Sequence, residues 1–167
     1  LLTKKSLITC IIDFILYRLI FVKQFACLFL ILIYLYPSNF FAQTQRVDSL
    51  LTVFESSKED TTKVIILNEL SWEYINKDVD KAIEYSNQGL LLAKQLNFRR
   101  GIAAAFNNIG IVYENQGNYK KAMGYYLQSL KIYDELGNKL SIAKISNNIG
   151  GIYCYQSNYE KAIDYFK

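Results

Sequence analysis

The 167 residues carry 19 Lys or Arg against 15 Asp or Glu, and no histidine. Without histidine there is no Ser-His-Asp or Cys-His nucleophile and no His-bearing zinc site. Four of the basic residues (Lys4, Lys5, Arg18, Lys23) and one acid (Asp13) lie in residues 1–42, leaving fifteen basic against fourteen acidic residues beyond; that near-neutral remainder has no basic stripe for a phosphate backbone, which excludes nucleic acid as a partner.

The first segment, residues 1–42, reads as an apolar export signal or anchor. Leu7–Val22 is apolar but interrupted by Asp13 and Arg18, whereas Phe25–Tyr36 is an unbroken run preceded by Lys23 and followed by Pro37. Such a run is short for a bilayer span, which takes about 20 residues, and fits the hydrophobic stretch of a signal peptide. The pattern predicts a true start at Val22, with Leu1–Phe21 as upstream sequence, and delivery of the rest outside the cytoplasm, periplasmic or membrane-anchored facing the periplasm. Two outcomes stay open at its end: cleavage after Ala42, or an uncleaved anchor, since Phe40 stands where cleavage prefers a small residue. Cys27 lies near the beginning of the run, which argues against a lipoprotein anchor.

Residues 43–60 hold Val47, Leu50, Leu51 and Phe54 at helical spacing, predicting a short helix that caps the rest of the chain. Beyond them the sequence repeats itself. Ala105–Tyr126 laid on Ile145–Phe166 gives eleven identities in twenty-two positions, at a period of forty. Self-similarity at such a period signals stacked supersecondary units. Three units result: 61–100, 101–140 and a shorter 141–167. No proline occurs after Pro37, so nothing interrupts long helices.

In the second unit Phe106, Ile109, Gly110 and Tyr113 share one helical face, Gly117-Asn118 breaks it, and Ala122, Tyr125, Tyr126, Ser129, Ile132 and Tyr133 line a second, longer helix. In the first unit the pattern is Leu67, Leu70, Ser71, Tyr74 and then Ala82, with one residue fewer in the turn and Ser71 in place of the glycine. The third has Ile149, Gly150, Tyr153, Ala162 and Phe166. The expected fold is all-α, a solenoid of helix–turn–helix hairpins.

Phe106-x2-Ile109-Gly110-x2-Tyr113 followed by Ala122-x3-Tyr126 resembles the tetratricopeptide repeat pattern W-x2-L-G-x2-Y…A-x3-F. The resemblance covers residues 61–167. It departs from that family in having a period of 40 rather than 34 and no closing proline, and the extra residues are expected in the second helix and its loop. It implies a right-handed superhelix that binds protein or peptide in a concave groove lined by the first helices. The layout, an export signal followed by "LNELSWEY" (Leu67–Tyr74) and "NNIG" repeats, is similar to the sensory region of bacterial membrane signalling proteins such as histidine kinases. On that reading the chain is a piece of a longer product: a third unit of full length would run to residue 180, and any catalytic part would lie beyond Lys167.

No catalytic, cofactor or metal site is expected in the residues present. Gly117–Gly124 lacks the GK[ST] ending of a phosphate-binding loop. Asn76-x-Asp78-x-Asp80 mimics the start of a calcium loop, but Lys81 replaces its glycine, so capping duty is expected of Asp78 or Asp80. Cys154 stands alone beyond residue 42, without a CxxC partner. The tyrosines at Tyr74, Tyr113, Tyr153 and at Tyr85, Tyr125, Tyr165 recur at core spacing and read as packing.

Asparagines are the remaining signal. Asn68, Asn107 and Asn147 occupy equivalent mid-helix positions, with Asn108 and Asn148 beside two of them. Each costs about 0.5 kcal/mol relative to alanine in a helix. Resemblance to peptide-sensing tetratricopeptide regulators implies that such amides grip a peptide backbone. The six candidate contacts are Asn68, Asn107, Asn108, Glu114, Asn147 and Asn148. The competing expectation is that the amides bond between neighbouring repeats.

Overall fold

The computed structural model describes residues 37–167, with side chains from Gln45 onward. The chain divides into two compact units, Leu1–Arg46 and Val47–Lys167. The export signal expected over residues 1–42 lies outside the described residues as far as Tyr36.

The described residues form seven helices and no strand: α1 (Pro37–Ser56), α2 (Thr61–Tyr74), α3 (Val79–Gln95), α4 (Arg99–Asn115), α5 (Tyr119–Glu135), α6 (Lys139–Tyr155) and α7 (Tyr159–Phe166). The capping helix begins at Pro37 rather than at 43; proline suits a helix start, where its missing N–H has no intrahelical partner to lose. None of the described helices is long and apolar enough to cross a membrane.

From α3 onward each helix begins twenty residues after the last, at 79, 99, 119, 139 and 159. The regularity comes from one turn used four times. Asn97, Gly117, Gly137 and Ser157 adopt left-handed φ of 53°, 72°, 66° and 58°. The next amides, of Phe98, Asn118, Asn138 and Asn158, donate back to Ala93, Tyr113, Tyr133 and Tyr153 carbonyls at 2.8–3.0 Å. This is the Schellman closure, which satisfies carbonyls that a helix end would otherwise orphan. Asn118, Asn138 and Asn158 then cap the next helix, each side chain accepting from an amide three residues on, at 3.1–3.3 Å. Asp78 does the same for Lys81 at 3.1 Å, so the calcium-like spacing is a helix cap.

Two of the four left-handed positions carry a side chain, and for serine that conformation costs about 1–2 kcal/mol. Ser157→Gly is therefore expected to raise stability by roughly 0.5 kcal/mol, once glycine's greater freedom in the unfolded chain is subtracted. A lower midpoint in thermal unfolding would contradict this.

The expected longer second helix is not found. α4, α5 and α6 are each 17 residues, because the same turn ends every half-unit and divides the forty-residue period evenly. The residue missing from the first unit has a simple origin: α2 stops at Tyr74, whereas α4 and α6 continue two residues past Tyr113 and Tyr153.

Each hairpin closes on a small residue. The Cβ that Gly110 lacks would lie 2.6 Å from the ring of Tyr126, and that of Gly150 would lie 2.5 Å from the ring of Phe166. In the first hairpin both partners are small and polar, and Ser71 Oγ meets Ser86 Oγ at 2.6 Å. The departure from glycine at Ser71 is thus matched across the hairpin. Around this contact the tyrosines stack, Tyr74 on Tyr85, Tyr113 on Tyr125 and Tyr153 on Tyr165, with centroids 5.6–5.7 Å apart. Lys81, Lys121 and Lys161 lie over the outer ring of each pair at 4.9–5.4 Å. Val47 packs in one cluster with Ile66 and Leu70 of the first hairpin, with Leu50, Leu51 and Phe54 against it.

Candidate functional site

The first helices α2, α4 and α6 share one face, and the cavities of the molecule line up along it. Ile65, Asn68 and Trp72 of α2, Ala104, Asn107, Asn108 and Ile111 of α4, and Leu140, Ala143, Lys144 and Asn147 of α6 form its walls. Phe98 and Tyr133 reach the same face from the turn before α4 and from α5. Trp72 and Leu140 stand out: 55% and 68% exposed, respectively, although both are large and apolar.

The six predicted contacts separate into two groups. Asn68 and Asn108 are buried and tie repeats together. Asn108 Nδ2 donates to the Asn68 carbonyl at 2.8 Å, and Asn68 Nδ2 donates to the Gly101 carbonyl at 3.2 Å. Gly101 permits this approach, since any Cβ there would meet Val64 of α2 at 2.5 Å. Glu114 is also engaged internally, its carboxylate accepting from the hydroxyl of the fully buried Tyr126. Burial, then the Glu114 hydrogen bond and charge, push the Tyr126 phenol far above its usual range, while the Asn148 amide beside the same hydroxyl acts in the opposite direction. The phenol stays protonated and donating.

Asn107 and Asn147 are what remains for the groove. Asn147 is exposed and Asn107 is half-buried. Asn107 Oδ1 is itself buried and has no hydrogen-bond partner, so the amide gains a bond only by turning its oxygen toward the open side of the wall. Asn68 Oδ1 is likewise unpartnered, but it sits against Gly89 of α3. Motif position made Asn68, Asn107 and Asn147 equivalent. In space, Asn68 pairs with Asn108 instead.

Trp72, Leu140, Arg100 and Lys144 were not among the predicted residues. The signal for them is a second helical face, one step round from the core face. Ala104, Asn107, Asn108 and Ile111 follow the i, i+3, i+4, i+7 rule as well as the core set does, and Trp72 lies on the corresponding stripe of α2. Among the described residues, no cluster of His, Cys, Asp or Glu could hold a metal ion.

The tetratricopeptide repeat family matches residues 71–135, from the closing serine of the first hairpin to the end of α5. The fold is that of a tetratricopeptide-like all-α solenoid. Among solved structures, BtubC (BKLC) from P. vanneervenii is similar with a TM-score of 0.57 at 21% identity, over 74% of this chain and 51% of that one. This chain therefore spans about half the length of BtubC, and the likeness concerns the fold. MamA aligns over 72% of this chain and 82% of its own at 20% identity, with a TM-score of 0.37. No curated protein matches the chain. Tetratricopeptide repeats typically serve as non-catalytic scaffolds for protein interaction.

Proposed function

We propose that this chain is a protein-interaction scaffold that holds an extended polypeptide segment along the groove of α2, α4 and α6. The observation that carries the proposal is the exposure of two large apolar side chains, Trp72 and Leu140, in one wall with the half-buried Asn107 and the exposed Asn147. A backbone N–H would satisfy the amide, and apolar side chains would cover the two hydrophobes. The amides then divide their labour: Asn68 and Asn108 fix neighbouring helices, and Asn107 and Asn147 meet the partner.

Paired alanine variants test this directly. Asn107→Ala with Asn147→Ala should leave thermal stability unchanged or slightly raised, alanine being the better helix former. It should also weaken peptide binding, each backbone grip contributing about 1 kcal/mol. Asn68→Ala with Asn108→Ala should lower stability by roughly 1–3 kcal/mol, because buried inter-repeat bonds are lost. A stability loss from the first pair equal to that from the second would sink the division.

The scaffold is further proposed to be exported, on the strength of Lys23 and the apolar run Phe25–Tyr36. Within that reading it serves as the sensory region of a membrane-bound signal transducer such as a histidine kinase. N-terminal sequencing of the secreted or membrane fraction tests the first statement. The second is tested by the gene beyond Lys167, where a membrane span and an ATP-binding domain are expected. A stop after further repeats would make the protein a free-standing adaptor.

A further inference from the structure

The two junctions between hairpins are built differently. Between α2 and α4 the separating positions are small, with Ser86, Ala93 and Gly101, and α2 packs directly on α4. Forty residues on, the same positions hold Tyr126, Tyr133 and Ser141. Tyr126 and Tyr133 are both buried, and among the described residues α6 makes no comparable contact with α4. Asn148, one repeat after Asn108, is turned to the Tyr126 hydroxyl. Between α4 and α6 lies an open cavity of about 770 Å3 whose walls include Trp72, Ile111, Leu140 and Ala143, and beside it a smaller one of about 270 Å3 lined by Tyr133 with Ala104, Ser141 and Ile145.

We infer that Tyr126 and Tyr133 are spacers that hold this slot open, and that it seats a bulky apolar side chain of the bound segment, with an acidic residue beside it. The apolar part comes from the walls, where Trp72 and Leu140 face solvent from opposite sides. The acid comes from charge: Lys144 in the same wall has no acidic partner among the described residues, and the Glu114 carboxylate, still charged, is held by the Tyr126 hydroxyl of α5 instead. This deepens the scaffold reading and rests on it.

Trp72 is the chain's single tryptophan, so its emission reports the slot. The probes are short peptides selected from a random display library on the full chain. The expected result is enrichment of a large apolar residue next to Asp or Glu, a shift of Trp72 emission on binding, and about tenfold weaker binding by Leu140→Ala, as for an anchor contact. Peptides that bind without moving Trp72 emission and without sensitivity to Leu140→Ala overturn the slot but leave the scaffold intact. Recovery of no binding peptide overturns both.

The spacer role has its own readout, independent of any peptide. Spin labels at Gln116→Cys and Gln156→Cys, with the native cysteines replaced by serine, report the separation of α4 and α6. Gly110→Ser, Tyr126→Ser, Tyr133→Ala and Ser141→Gly together reproduce the first junction and should shorten that distance. If the variant folds and the distance is unchanged, the spacers are overturned; if it does not fold, Tyr133→Ala alone in the same label pair decides by the same criterion.

Discussion

Replacing Tyr126 by alanine is expected to cost about 3–5 kcal/mol of stability, the range for emptying a fully buried aromatic site. Tyr126 lies at the centre of the array, its ring against Gly110 and its hydroxyl on Glu114. Losing the ring leaves a void between α4 and α5, and losing the hydroxyl leaves the half-buried carboxylate without its donor. Urea unfolding of the full chain measures the effect, and a loss below about 1 kcal/mol would contradict the packing described. Tyr126→Ser should lose nearly as much. Adding Gly110→Ser should recover part of it by recreating the Ser71–Ser86 hydroxyl pair of the first hairpin, so the two changes should be non-additive in a double-mutant cycle.

Adding a single methyl group at Gly110 should also be costly, at about 1–3 kcal/mol for overpacking. The new Cβ would lie 2.6 Å from a ring that is fully enclosed and cannot move aside. Gly150→Ala makes the comparison informative. Its methyl would meet Phe166 at 2.5 Å, yet Phe166 is 51% exposed and free to swing outward. The same substitution forty residues apart should therefore cost clearly less at Gly150. Equal losses in thermal unfolding would mean that confinement of the facing ring is not what sets the penalty.

The hairpins and their order were legible from Gly110, Tyr113, Ala122 and Tyr126 and their copies, because a close helix crossing demands a small residue and a large one at fixed spacing. That the tyrosines pack in the core was legible for the same reason; that they stack in pairs was not. Equal helix lengths were not, since the turn depends on a left-handed residue that is glycine only at Gly117 and Gly137; Asn97 and Ser157 adopt it without advertising it. For the groove, the stripe of asparagines marked the face that α2, α4 and α6 share but not the separate fates of its members. Asn107 and Asn108 are neighbours in sequence, and a rotation of about 100° per residue puts one toward the groove and the other toward α2. Which of them met a partner was decided by how closely α4 approaches α2. That distance was set by Ser86, Ala93 and Gly101, residues with no motif of their own.

The twenty-residue pitch also bears on how the chain acquires its structure. The side-chain hydrogen bonds that join one repeat to the next, such as Asn68 to Gly101 and Asn108 to Asn68, span 33 and 40 residues. Every helix thus finds its partners within the preceding two. Loop closures this short are entropically inexpensive, and contacts this local are associated with fast folding. Ordering can spread hairpin by hairpin in either direction, with no single obligatory nucleus. A lesion at one junction should then split the kinetics: helices on either side keep their own rates, while the step that joins them slows.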